Sequence, residues 1–130
     1  METLDTFKSD VLLGRVGSSD LGFSFVEATV TYEEGMEMGA ALELVAGKYV
    51  WVVAANVANT VGILVDASAQ GYDDVTLEAG DQTLVVAVRG VTINKNKVTL
   101  ADSVLEADIT AASVAFEKAG ANKVTDKVFG

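Results

Sequence analysis

Five consecutive apolar residues, Leu84 to Val88, break the alternation expected of a surface strand. Successive side chains of a strand point to opposite faces, so Leu84, Val86 and Val88 share one side and Val85 and Ala87 the other. An antiparallel strand at a protein surface ordinarily keeps one face polar. This one needs two covers: its own body on one face, and a helix or a neighbouring subunit on the other. Tyr49–Ala55 repeats the pattern, with Trp51 between Val50 and Val52. Further strand-like runs are Ala41–Val45, Val61–Ala67, Val75–Leu77, Leu84–Ile93 and Val98–Leu100, separated by short polar or glycine-containing stretches. Such close spacing predicts a mainly β (α+β) fold, a small antiparallel β-rich body and not a series of β-α-β units.

One helix is signalled in the C-terminal half, near residues 108–119. Asp108 or Thr110 is placed to cap its start, and Gly120 stands where a left-handed C-terminal residue is wanted. Ala111, Ala112, Ala115, Phe116 and Ala119 fall at helical spacing on one face, with Phe116 as the main anchor. Asp108 near the start and Lys118 near the end suit the helix dipole.

The first 36 residues have a different texture. Glycines at 14, 17, 22 and 35 are mixed with serines and isolated apolar residues, and no helical period survives. Only Val26 to Tyr32 reads as a possible strand. Residues 1–36 are therefore expected to form an extended N-terminal arm and residues 37–130 the body. The other reading is an N-terminal strand tucked into the body. The arm's candidate contact residues are its apolar anchors and strand formers: Leu12, Leu13, Val16, Phe23, Phe25, Val26, Val30 and Tyr32. On the arm reading, deleting residues 1–30 leaves a folded body.

Composition sharpens this picture. The chain has 130 residues, enough for one domain with a single core. Half of them are apolar, and the mean hydropathy is +0.35. No run approaches the roughly 18 apolar residues of a membrane span, and the acidic start METLDTFKSD lacks an apolar signal core. A soluble chain this apolar suggests oligomerisation. The net charge of −10 works against binding DNA. Residues 1–38 carry eight acidic and two basic residues, a net −6 from less than a third of the chain.

Candidate chemistry is sparse. The chain has no cysteine and no histidine, which removes disulfides, thiolate ligands and the commonest acid–base group. Asp66, Asp73, Asp74, Glu78 and Asp81 could offer oxygen ligands to calcium, but their spacing departs from the calcium-loop pattern and fits solvated turns better. Ser18 and Ser19 would need a lysine base to act as nucleophiles. No phosphate-binding glycine loop is present. Arg89 fits an ion pair better than catalysis, and Glu33, Glu34 and Glu37 read as a solvated charge run. No catalytic residue, cofactor or metal is expected.

The order MEMGAALELVAGKYV, ANTVGILVDASA, QTLVVAVRGVTINKNKVTL and then an alanine-rich helix resembles the lambda-type head decoration proteins of tailed bacteriophages. The matching positions are Gly39 to Leu44, Gly47 to Tyr49, Val61 to Val65 and Leu84 to Gly90, within a resemblance running from about residue 36 to 120. The resemblance implies a structural virion protein, not an enzyme. Such a protein binds the major capsid protein on the outer surface of the expanded capsid, as a homotrimer at local three-fold positions, and steadies the shell against packaged DNA. It implies an N-terminal arm that orders against the capsid lattice, no direct contact with nucleic acid or membrane, and a place in the host cytoplasm during assembly. The alternative is a β-sandwich or barrel binding module, an adhesin or tail-associated domain recognising a protein or glycan. An enzyme ranks third.

Overall fold

A computed structural model describes residues 12–15, 24–66 and 78–126. The strands are β1 (Leu12–Arg15), β2 (Phe25–Tyr32), β3 (Ala41–Val45), β4 (Lys48–Trp51), β5 (Gly62–Leu64), β6 (Gly80–Ala87), β7 (Val91–Asn94) and β8 (Lys123–Thr125). Among the described residues an α-helix, α1 (Glu106–Gly120), and the 3-10 turns Ala54–Asn59 and Lys95–Lys97 join them. Five strands close into a barrel in the order β2-β4-β3-β5-β6, and β1-β7-β8 form a second, three-stranded sheet. The mainly β body with one helix expected from the sequence is present.

Pairing in the barrel follows the alternation of side chains. β2 and β6 run antiparallel in register from Phe25↔Ala87 to Tyr32↔Gly80. Inside the barrel, Val30, Leu42, Leu64, Leu84, Val86 and Val88 meet, with Met36 from the β2–β3 connection joining them. The next residue along each strand faces outward into a second cluster. Phe25, Ala41, Ile63 and Ala87 pack there with Val91 and Ile93 of β7 and with Ala112 and Phe116 of α1. This settles what covers Leu84–Val88. The barrel interior takes Leu84, Val86 and Val88, and Ala87 is fully buried in the layer under α1 with Val85 packed at its edge. Both covers come from the same chain.

Several boundaries differ from the sequence reading. Phe25–Tyr32 is a wall of the barrel, with Phe25 and Val30 buried, and Met36 behind it is buried as well. The body therefore begins by Ser24 and not at residue 37, because a five-strand barrel missing β2 would leave both β4 and β6 unpaired on one side. Two pairs are parallel, β2 with β4 and β7 with β8. The run Leu84–Ile93 is divided at Arg89-Gly90, where Gly90 N–H donates to the Gly120 carbonyl at 2.9 Å. Tyr49–Ala55 stops at Trp51 and passes into the 3-10 turn. Val98–Leu100 contributes a single bridge, Thr99 to Ala40. Val75–Leu77 lies outside the described residues.

The helix spans Glu106–Gly120, starting two residues earlier than expected, with Leu105 at its N-cap and no capping side-chain bond there. Ser103 organises the entry, accepting from Leu105 N–H and donating to Asp108. The buried face is Ala112, Ser113 and Phe116, while Ala111 and Ala119 are exposed. The left-handed residue is Ala121, at φ 54°, not Gly120. Gly120 is small for another reason: a Cβ there would lie 2.2 Å from the Val88 carbonyl oxygen. Beyond it, buried Asn122 accepts from Val91 N–H at 3.1 Å and donates to the carbonyls of Val88 and Phe116 at 3.1 and 3.0 Å. One side chain thus ties the end of β6, the start of β7 and the end of α1.

Two substitutions test this packing. Phe116 is fully buried, so Phe116→Ala should destabilise the body by about 3–5 kcal/mol, seen as a thermal midpoint lower by roughly 10 °C or more. Gly39 has φ +102°, and a Cβ there would meet Lys97 O at 2.0 Å, whereas Gly35 at φ +91° has open space around it. Gly35→Ala should therefore show the backbone strain alone, on the order of 1–3 kcal/mol, and Gly39→Ala a clearly larger loss in chemical denaturation.

Candidate interaction surfaces

The sequence-predicted arm residues fall into three groups. Phe25, Val26, Val30 and Tyr32 belong to the barrel: Phe25 faces the layer under α1, and the other three pack with the interior cluster. The Tyr32 hydroxyl donates to the Met36 carbonyl at 3.1 Å, closing the turn that follows β2. Leu12 and Leu13 lie in β1, whose main chain pairs antiparallel with β7 from Leu12↔Ile93 to Arg15↔Val91, with an irregularity between Leu12 and Gly14. Val16 and Phe23 lie outside the described residues. The structure brings the last four together and places β1 on the opposite sheet.

Exposed large apolar residues mark two patches that sequence reasoning missed. Leu44 and Val45 are 54% and 48% exposed at the β3–β4 hairpin, next to a two-residue Ala46-Gly47 turn with positive φ at both positions. That turn geometry matches the right-handed twist of a two-residue hairpin and projects its flanking side chains beyond the barrel. Val104 and Leu105, 91% and 64% exposed, precede α1, and Val114 is 42% exposed on the helix's outer side. The signal for the second patch was legible: two aliphatics stand where a helix start ordinarily has a polar cap.

Charged groups are used in pairs. Lys48 on β4 reaches over β2 to Asp81 on β6, Nζ to Oδ2 at 2.5 Å, and the Thr31 hydroxyl of β2 donates to the other carboxylate oxygen at 3.1 Å. The hydrogen bond from Lys48 holds the Asp81 carboxyl below its ordinary 3.8. Lys95 pairs with Glu106 at 2.7 Å and donates to Thr110, and that bond likewise lowers the Glu106 carboxyl. Buried Glu43 accepts from the Asn56 amide at 3.2 Å, fixing the 3-10 turn against β3. Of the five acids considered for calcium, Asp66 accepts from Val85 N–H and Asp81 is held by Lys48, while Asp73 and Asp74 lie outside the described residues. Among the described residues no three acidic groups converge as metal ligands. Ser18 and Ser19 also fall outside them.

What this surface offers is contact chemistry: exposed aliphatic side chains, paired charges and the short edges of the three-stranded sheet beside a closed barrel. That is the equipment of a structural binding body. The chain belongs to the family of bacteriophage PhiTE minor capsid decoration proteins, whose family model matches residues 1–130. It is a phage capsid decoration protein, a structural component of the virion's capsid surface, in agreement with the resemblance drawn from its glycine and aliphatic runs. No curated protein matches the chain.

The Lys48–Asp81 pair generates a pH prediction. A carboxyl depressed in the folded state stabilises it above the unfolded value, and that contribution disappears as pH falls through the folded value. The Asp81 carboxyl should titrate below 3.8 by NMR and move up toward it in Lys48→Met. Unfolding midpoints of the two proteins should differ at neutral pH and converge in acid.

Proposed function

We propose that this protein attaches to the outer surface of the expanded phage capsid as trimers at the local three-fold positions, contacts the major capsid protein, and stabilises the shell against the pressure of packaged DNA. It is free in the host cytoplasm until assembly. The observation that carries this reading is the family match across residues 1–130. The acidic balance of the chain, −10, supports a protein partner over nucleic acid.

The capsid contacts are assigned to the first 23 residues, including Leu12, Leu13, Val16 and Phe23. Phe25, Val26, Val30 and Tyr32 instead hold the barrel closed. An extended segment binds through main-chain pairing to a sheet edge, with alternate side chains giving specificity. Each arm then binds weakly, and three linked arms bind together far more tightly than one. The exposed Leu44–Val45 tip supports a further contact from the body, since half-exposed aliphatics gain on leaving water.

Two truncations separate arm from barrel. Removing residues 1–23 takes the edge strand β1 from the three-stranded sheet but no residue named in either core cluster, so the protein should still unfold cooperatively on heating yet fail to decorate expanded capsids in co-sedimentation. Removing residues 1–30 also deletes most of β2 and should leave an unfolded chain. Decoration at full occupancy by the first truncation would place the binding surface on the body and defeat the assignment.

A further inference from the structure

The edge of an open sheet invites a further strand, and among the described residues the β1-β7-β8 sheet is open. β7 is its middle strand, so the sheet ends on β1 and on β8. β8 is three residues long and runs parallel to β7 in the register Thr92↔Lys123 to Asn94↔Thr125. The main-chain groups of successive strand residues point to alternate sides. Val124 N–H is turned to the Glu117 carboxylate, whose Oε2 accepts it at 2.9 Å. Lys123 and Thr125 therefore direct their groups toward β7, and within β8 only Val124 directs its N–H outward. That donor is already taken.

Glu117 is firmly placed for this contact. It lies in the last turn of α1, where its carbonyl accepts from Ala121 N–H and, at 3.2 Å, from Asn122 N–H. Its half-buried side chain then reaches past the turn to the following strand. The negative end of the helix dipole favours cations, such as the adjacent Lys118, and opposes an acid. Helix stability therefore gives no reason for a glutamate here. The bond to Val124 does.

We propose that Glu117 is a guard on the β8 edge, occupying its outward donor so that a second copy cannot add a strand there. Without the guard, two β8 strands would pair antiparallel across a two-fold axis, with Val124 opposite Val124. Each would exchange N–H and carbonyl with the other, forming one hydrogen-bonded pair of an antiparallel ladder. With the carboxylate in place, that pairing must first give up a charge-assisted hydrogen bond, and the incoming carbonyl meets a carboxylate instead of a donor. The guard acts within one chain and stands apart from the reading of the capsid contacts.

Two conservative variants of the full chain separate the bond from the charge. Glu117→Gln removes the charge but keeps a side-chain carbonyl that can accept from Val124. Glu117→Asp keeps the charge but is one methylene shorter and withdraws the acceptor. In dilute protein, the Val124 amide should exchange with deuterium slowly in the wild type and in Glu117→Gln. It should exchange at least about tenfold faster in Glu117→Asp. In sedimentation equilibrium, Glu117→Asp should self-associate at least about tenfold more tightly than the wild type, and Glu117→Gln should match the wild type. Adding Val124→Pro to Glu117→Asp removes the outward donor without touching the β7 ladder, and should return association to the wild-type level. A Glu117→Asp protein that associates no more tightly than the wild type overturns the proposal. So does association in Glu117→Gln but not in Glu117→Asp, which would assign the effect to net charge. Association that persists in the double variant would place the contact elsewhere and overturn it as well.

Discussion

The structure depends on one wall shared by two cores. β6 buries Leu84 and Val86 inside the barrel and Ala87 in the layer beneath α1, and it continues the same alternation into buried Val88. On either side it pairs with β2 and β5. A strand buried on both faces has no tolerance for a one-residue slip, since every side chain would move to the wrong cluster. The register of the barrel, the position of α1 and the placement of β7 are all referred to it. Ala87 is small because Phe116 and Ile93 share its layer, and Asn122 then fixes the backbone just past the strand through three buried hydrogen bonds.

This arrangement changes what the apolar composition means. Half of the residues are apolar, and two-faced strands on their own left either a helix or a neighbouring subunit as the second cover. The second cover is internal, so β6 exerts no demand for a partner. Among the described residues, the exposed large apolar side chains lie at the β3–β4 tip and on the outer side of α1 with its preceding loop. The barrel satisfies its own strands and exposes separate aliphatic patches. Closure also removes the barrel's strand edges, and among the described residues edges remain in the small β1-β7-β8 sheet.

Much of the body was legible along the chain because strand alternation and glycine placement are local properties. Ala41–Val45 and the Phe116 helix stand where the pattern put them. Gly39, at the head of the first run that carries the family resemblance, is required by its φ of +102° and by the Lys97 carbonyl that fills the space a side chain would take. Phe25–Tyr32 was misread as part of an arm for a physical reason. Val26, Ala28 and Val30 alternate with Glu27, Thr29 and Thr31, so the segment looks like a half-polar edge strand, and its glycine-rich surroundings reinforced that impression. Its long pairing with β6 joins residues more than forty-five positions apart at every rung, which no local pattern reports.

The sequence by itself determined the strand-rich composition, the helix with its Phe116 anchor, the lack of histidine and cysteine chemistry, and the family resemblance. These follow from residue type and spacing over a few turns or rungs. Only the tertiary structure decided that the strands close on themselves, that β2 belongs to the body, and that both faces of β6 are covered within one chain. It also decided which alanines of α1 face inward and which are left outside. These depend on the shear of a closed sheet and on contacts between distant segments, where burial of one face against another selects among registers that the local sequence permits equally.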